Sequence, residues 1–433
     1  MFAKRTNWPL EPNSLARALE AHRRAGKPLI DLTASNPTTC GFAYPEREIL
    51  DALRNPRALE YRPESKGLLA ARAAVAEYYR GRTGFTDSAD RLGPTAELDP
   101  ERIVLTSGTS EAYTHVFRLL CEAGDEILVP APSYPLLEFL ADLADVRLVP
   151  YPLLYDHGWQ MDLVGLRAAL TPRSRAVVVV HPNNPTGSFV KPREAAELAE
   201  ICAVREMAIV ADEVFLDYAD PVMRDEENAA RSPDAAKAGG DKLATASRLC
   251  PHKTITAGAS FAFASEALTF TLSGLSKISA LPQMKLAWIV TSGPESGVRT
   301  AVERLEVIAD TYLSPSTPIQ LAAAEFLALR HTMQPQLQQR IAANLAHLDA
   351  TLAGSNAATR LEREAGWYAV LRVPKSTPDE SLAVSLLERS SVLVHPGAFY
   401  NFASEGFLVL SLIAPMPEFE RGVCLLNDLL TTS

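Results

Sequence analysis

The sequence predicts an α/β protein: a mostly parallel sheet sandwiched by helices, with a smaller α+β domain beside it. Three observations predict it. Short runs rich in valine, isoleucine and leucine recur between residues 102 and 292, they lack the in/out alternation of a sheet with one wet face, and stretches that fit amphipathic helices lie between many of them. Continuous apolar strands alternating with helices imply a parallel sheet covered on both faces.

In order, the strands are expected at "RIVLTSG" (102–108), "DEILVPA" (125–131), "VRLVPYP" (146–152), "AVVVVHP" (176–182), "MAIVADE" (207–213), "LTFTLSG" (268–274) and "LAWIVTS" (286–292). Helices fit 110–122 and 192–206 between them, so a large α/β domain is expected over 46–315. A long helical region (296–353) follows, then "GWYAVLRVP" and "SVLVHPG" as strands and a last helix near 417–431. These form the smaller domain, 316–433, which residues 1–45 are expected to join. One region shows no sustained period: 220–267, rich in Ala, Ser, Asp and Lys, reads as a surface insertion in the large domain or as an irregular helix plus a hairpin.

A chain of 433 residues, 47% hydrophobic, is long enough to bury a large core in two or three domains. Its 42 basic against 52 acidic side chains argue against a general nucleic-acid surface. No apolar run approaches the roughly 18 residues of a membrane helix, and the start "MFAKRTNWPLEPNS" has no apolar signal core, so a cytoplasmic protein is expected. Cys40, Cys121, Cys202, Cys250 and Cys424 lack C-x-x-C spacing and give neither a disulfide framework nor a metal site.

In open parallel sheets ligands bind beyond the carboxyl ends of the strands, and four such ends carry chemistry. Ser107-Gly108-Thr109-Ser110 opens a helix, where backbone N–H groups and hydroxyls can close on a phosphate. His181-Pro182-Asn183-Asn184-Pro185-Thr186-Gly187 presents the Asn184 amide from a rigid turn. Asp212 is a carboxylate at the tip of a buried strand, costly unless it meets a cation. "TLSGLSK" delivers Lys277. Each has a plainer reading: Ser, Thr and Asp cap helices, N-P-T-G is an ordinary turn, and a lysine is a solvated loop charge. Together, a phosphate cradle, an amide, a buried carboxylate and an amine form the set that pyridoxal phosphate needs. The lysine makes the Schiff base and the aspartate pairs with the protonated pyridine nitrogen.

Here the sequence resembles the fold type I, class I/II aminotransferases over nearly the whole chain. The matching stretches are "SNPT" (35–38), "YRPESKGLLAAR" (61–72), "LTSGTSEA" (105–112), "GDEILVPAPSYP" (124–135), "HPNNPTG" (181–187), "ADEVF" (211–215), "SGLSK" (273–277) and "HPGAFY" (395–400), eight in order. The resemblance implies that Lys277 is the Schiff-base lysine and proton shuttle and that Asp212 stabilises the pyridinium. It implies that Asn184 bonds the cofactor's 3-oxygen and that Tyr134 stacks on the ring. Gly108, Thr109 and Ser110 would hold the phosphate, helped by Tyr61 from the partner subunit of a homodimer, and Asn36 would line the substrate side.

Three positions depart from the family. Lys285 stands where an arginine usually meets the phosphate, keeping the charge without the planar fork. Phe215 replaces a tyrosine that donates to the 3-oxygen, and Val409, in "GFLVLSLIAP", stands where an arginine clamps the substrate's α-carboxylate. The substrate either lacks that carboxylate or meets another cation, Arg372 or a residue of 220–267. Arg372 also reads as a solvated strand charge. The leading function is ping-pong amino transfer from an amine or amino-acid donor to a keto acid. A β-lyase or decarboxylase on the same fold is the alternative, and a ligand sensor fused to a DNA-binding module would need a further domain ahead of residue 30.

Overall fold

The structure is a computed structural model that describes residues 1–85, 92–95, 97–220 and 259–432. Its main sheet has eight strands: β1 (Ile103–Thr106), β2 (Glu126–Ala131), β3 (Arg147–Tyr155), β4 (Trp159–Met161), β5 (Ser174–Val180), β6 (Ala208–Asp212), β7 (Thr269–Gly274) and β8 (Ala287–Ser292), in the spatial order β1-β8-β7-β6-β5-β2-β3-β4. From β7 to β3 every neighbouring pair is parallel. β8 runs antiparallel between β7 and β1, and β4 closes the far edge.

The absence of alternation in the strand sequences has its cause in two separate cores. Val177 and Val179 join Leu128, Ile209 and Ala211 on one face, while Val178 and Val180 join Val104, Val210, Leu272 and Ile289 on the other. Successive residues point to opposite faces, so a strand covered on both sides must be apolar throughout. Helix α1 (Thr109–Leu120) lies on the second face and contributes Ala112, Tyr113, Val116 and Phe117 to its core. Helix α2 (Pro192–Val204) covers the first with Ala195, Leu198, Ile201 and Cys202; proline opens it, and Glu194 takes the Lys191 N–H at 2.7 Å.

A second sheet of four antiparallel strands holds β9 (Thr359–Arg360), β10 (Tyr368–Arg372), β11 (His395–Pro396) and β12 (Phe407–Ser411), in the order β9-β10-β12-β11. Its register sets Val409 opposite Val370 on one side and His395 on the other. The N-terminal segment lies beside this sheet: Ile30–Asp31 pairs with Val392–Leu393 in a separate two-stranded sheet, and Ser411 N–H donates to Leu32 O at 2.7 Å. The long helix α3 (Arg330–Leu352) ties the two halves together. Near its start Gln334 Nε2 donates to Asp217 Oδ2 (2.6 Å) and Ile278 O (2.8 Å), and further along Asn344 Nδ2 donates to Leu412 and Ala414 carbonyls.

Most of the expected insertion, 221–258, lies outside the described residues. Its carboxyl end does not fit a surface reading: Ala259, Ser260, Phe261, Ala262 and Ala267 are buried, because the segment packs under the main sheet and its Ser260 bonds the interior carboxylate of Glu213. Among the described residues no helix is long and apolar enough to cross a membrane.

Candidate active site

Three adjacent strands bring their carboxyl ends together, β7 running two residues past the other two. Val180 of β5 is in register with Asp212 of β6, and Asp212 with Leu272 of β7. One peptide further on, His181 N–H donates to Asp212 O and Glu213 N–H to Leu272 O, both at 2.8 Å. Wholly buried β7 then turns into the short helix Leu275–Ile278, which carries Lys277. The lysine ammonium sits 4.7 Å from the ring centre of Trp367 and 5.5 Å from that of Phe215. Burial lowers its pKa to about 8, against the pull of the nearby Asp212 charge. Tyr218 Oη donates to the Lys277 carbonyl at 2.7 Å and fixes the turn.

Two donors from different elements hold Asp212. Val214 N–H reaches Oδ1 at 3.1 Å, and Tyr113 Oη reaches Oδ2 at 3.0 Å. Burial raises this carboxyl to about 6, and the two donors and Lys277 restrain the rise, so it is mostly ionised at neutral pH. Tyr113 was not visible as a site residue in the sequence, although it lies four positions after Thr109 on one helix face, where a second contact with the same ligand pocket is geometrically natural. Glu213, the next residue after Asp212, points inward. It accepts from Ser260 Oγ and Phe261 N–H at 2.7 Å each, and burial pushes it up to about 7.

Helix α1 starts after Gly108 with no side-chain cap, and Glu111 Oε2 takes only the Ser107 N–H, at 2.6 Å. A Cβ added to Gly108 would meet nothing within 4 Å, so there is room for a ligand beside the positive helix end, where the first-turn N–H groups have no intrahelical partner.

The 181–190 loop is clamped from behind. The neutral His181 ring, its pKa lowered to about 3 by burial, accepts from Val190 N–H at 3.0 Å and lies 3.3 Å from Ala259 O. Asn183 donates to Pro132 O and Thr186 Oγ1. Gly187 has φ +71°, and a Cβ there would sit 2.3 Å from Ala365 O, so glycine is required twice over. Asn184, 8% exposed, keeps Oδ1 buried with no hydrogen-bond partner among the described residues. The orphaned atom is an acceptor, so a hydrogen-bond donor would satisfy it, whereas donation to a ligand oxygen would have to come from Nδ2 of the same amide.

The remaining expected residues are spread around this centre. Tyr134 and Tyr61 are 46% and 76% exposed. Ser133 N–H donates to Tyr400 O at 2.9 Å, which brings the Tyr134 turn against the "HPGAFY" segment. Asn36 is exposed and caps its own turn, its Oδ1 accepting from Thr38 N–H and Oγ1 at 3.1 and 2.8 Å. Lys285 is exposed at φ +51°, beside the lysine turn through the bond from Leu275 N–H to Leu286 O. Phe215 packs on Trp367 and Tyr368 at 5.3 and 6.2 Å and offers no donor. Val409 is fully buried in the same apolar cluster as Phe215, Trp367 and Tyr400. Arg372, exposed at the end of β10, lies over the Tyr155 ring at 5.3 Å, the arrangement of a solvated strand charge. Trp367, which closes over the lysine, gave no signal in the sequence.

Known structures share this architecture over the whole chain. An alanine aminotransferase from Pyrococcus furiosus matches with a TM-score of 0.79 at 20% identity, covering 100% of both chains. An aspartate aminotransferase from Thermotoga maritima matches at 0.73 and 20%, over 99% of this chain and 100% of that one. Fold and site together define the fold type I architecture of the aspartate aminotransferase kind. A family model for aminotransferase class I and II matches residues 27–421, and the chain belongs to that family. Among its relatives, the glutamate-pyruvate aminotransferase AlaA of Escherichia coli is 30% identical over 297 residues, which are 69% of this chain and 63% of that protein. The alanine aminotransferase of Mycobacterium bovis is 26% identical over 419 residues, 93% of this chain and 84% of its own length.

Proposed function

We propose that this chain moves an amino group from an amine or amino-acid donor to a keto acid, using pyridoxal 5'-phosphate held at the strand ends. The observation that carries the reading is the register that sets Asp212 and the turn bearing Lys277 on adjacent strands, with the Asn184 loop following the third. Bound there, the cofactor supplies an electron sink for the carbanion that forms beside the donor nitrogen.

The chain's own residues do the rest. Thr109 and Ser110 hold the phosphate at the start of α1, with Lys285 supplying charge from beside the lysine turn. Asp212, ionised, holds a proton on the ring nitrogen, and Asn184 donates to the ring oxygen. Tyr134 covers the ring. Lys277 Nζ, with its pKa brought down to about 8, is neutral often enough near physiological pH to act as nucleophile and base. Neutral Nζ takes the proton from the donor carbon, becoming an ammonium, and gives the same proton back to the carbon that carries the cofactor's aldehyde, while Trp367 and Phe215 keep water away.

The donor is where this chain parts from its relatives' names. Val409 gives a carboxylate no cation, so a donor without an α-carboxylate, or with one far from its nitrogen, suits the pocket best. Asn36, whose segment runs beside the end of β12, would line that side. We also propose an isologous homodimer in which exposed Tyr61 reaches the phosphate site of the partner. The test is a screen of amines and amino acids on purified holoprotein, followed by absorbance. Donor-dependent conversion of the cofactor to its amine form, reversed by a keto acid, is expected. Release of ammonia or carbon dioxide without that reversal would overturn the reading in favour of a lyase or decarboxylase.

A further inference from the structure

Tyr113 has a place that packing does not explain. Its ring lies in the apolar core of α1, 3% exposed and 5.8 Å from the Phe117 ring, but its hydroxyl leaves that core to meet Asp212 Oδ2 at 3.0 Å. Val214 N–H fixes the other oxygen, so the carboxylate plane is set by one donor from α1 and one from the chain after β6. The charged and titratable groups around Asp212 are few. Lys277 faces it from the turn after β7, and Glu213 follows it in the chain with its carboxyl turned to Ser260 and Phe261. The His181 ring is neutral and engaged with Val190 and Ala259.

We propose that Tyr113 is a positioning residue that keeps Asp212 ionised and aimed at the cofactor's ring nitrogen, so that one helix, α1, sets both the phosphate and the ring. This inference rests on the cofactor reading above. A hydrogen bond to the ionised form of an acid favours that form. Burial holds the Tyr113 phenol far above its ordinary pKa, so across the working range it can only be a neutral donor. Without it, burial of Asp212 is opposed only by Val214 and Lys277, the carboxyl titrates higher, and its pair with the protonated ring weakens. Thr109 and Tyr113 stand about one turn apart on the same helix.

Apoprotein is titrated with pyridoxamine 5'-phosphate, which binds without a covalent bond, and tryptophan fluorescence reads its affinity across pH. Tyr113→Phe should bind on the order of tenfold more weakly near neutrality, as expected for losing a hydrogen bond to a charged group. The acid limb of its affinity profile should move to higher pH by about one unit. With a 1-deaza analogue, which lacks the ring nitrogen, unaltered and substituted proteins should bind alike. An unmoved limb, or an equal loss with the deaza analogue, would reduce Tyr113 to a packing residue and overturn the inference. Failure of the unaltered protein to bind pyridoxamine 5'-phosphate would overturn the cofactor reading as well. Should Tyr113→Phe not fold, 3-fluorotyrosine at position 113 keeps the shape and donates more strongly. The limb should then move to lower pH, and an unmoved limb again overturns the proposal.

Discussion

On one side of Lys277 stand Asp212, Asn184 and the uncapped start of α1; on the other stand Phe215, Trp367 and Val409. The first group is polar, placed by strand register and helix geometry, and partly lacking partners within the protein. The second is aromatic or aliphatic and packed into the core of the smaller sheet. Polar groups buried at this cost are retained where a ligand will satisfy them, and of the three residues on the second side only Trp367 offers one, its buried Nε1 donor, which has no partner among the described residues. The contrast is one of charge: the first side carries a carboxylate and an amide, and the second carries no charged group.

The largest effect should come from removing the group both sides share. Lys277→Ala is expected to lower turnover by roughly 10² to 10⁴, the usual worth of a positioned proton-transfer group. Borohydride reduction of unaltered holoprotein followed by peptide mass mapping should find the label on Lys277 and nowhere else. Because only the neutral amine attacks a carbonyl, cofactor capture by apoprotein should rise with pH around 8 rather than near the ordinary lysine value. A capture profile still climbing near pH 10 would contradict the buried setting of that amine.

The donor side is tested next. Losing a buried, hydrogen-bonded charge partner costs about 2–5 kcal/mol, or roughly 30- to several-thousand-fold in kcat/KM. Half-reactions with glutamate, aspartate and alanine should be slower than those with the best amine by a factor in that range. Val409→Arg should narrow the gap while lowering Tm, since the new guanidinium enters between Val370 and His395. Efficient use of glutamate by the unaltered protein would erase the contrast, and Arg372→Ala would then be measured.

A smaller effect sharpens the polar side. Glu213 is raised from 4.5 to about 7 by burial. A carboxyl with a raised folded pKa contributes stability that is fully present below its unfolded pKa and lost as pH rises through the folded one. Urea midpoints should therefore fall between about pH 4.5 and 7, by up to about 3 kcal/mol for this group. Glu213→Gln should flatten that slope. An unchanged slope would assign it elsewhere, with Asp212 the next group to examine. The smallest effect is that of Tyr218→Phe, which loses the 2.7 Å bond to the Lys277 carbonyl. About 1 kcal/mol of stability should go with it, read as a shift in denaturant midpoint at constant slope.

The large sheet was legible because its strands are runs such as Ala176 to Val180, whose composition follows from burial on both faces. The placement of Lys277, Asp212 and Asn184 beyond neighbouring strands was legible too, since each follows such a run at its carboxyl end. Contacts between distant segments were not. Tyr113 and Asp212 are 99 positions apart and Trp367 and Lys277 are 90, and only the assembled register brings them together. Asn36 caps its own turn through Oδ1, as asparagine before a proline-led turn often does.

Because Gly187 rests directly on the backbone of Ala365, two residues ahead of Trp367, the loop carrying Asn184 and the segment carrying Trp367 into β10 form a single mechanical piece. Glu364 strengthens the joint by accepting from Phe189 N–H and pairing with Lys191. Anyone wishing to graft another donor pocket onto this scaffold cannot treat residues 363–372 as a free cassette. The transplant has to carry 181–191 with it, or the incoming segment has to present the same flat backbone to Gly187.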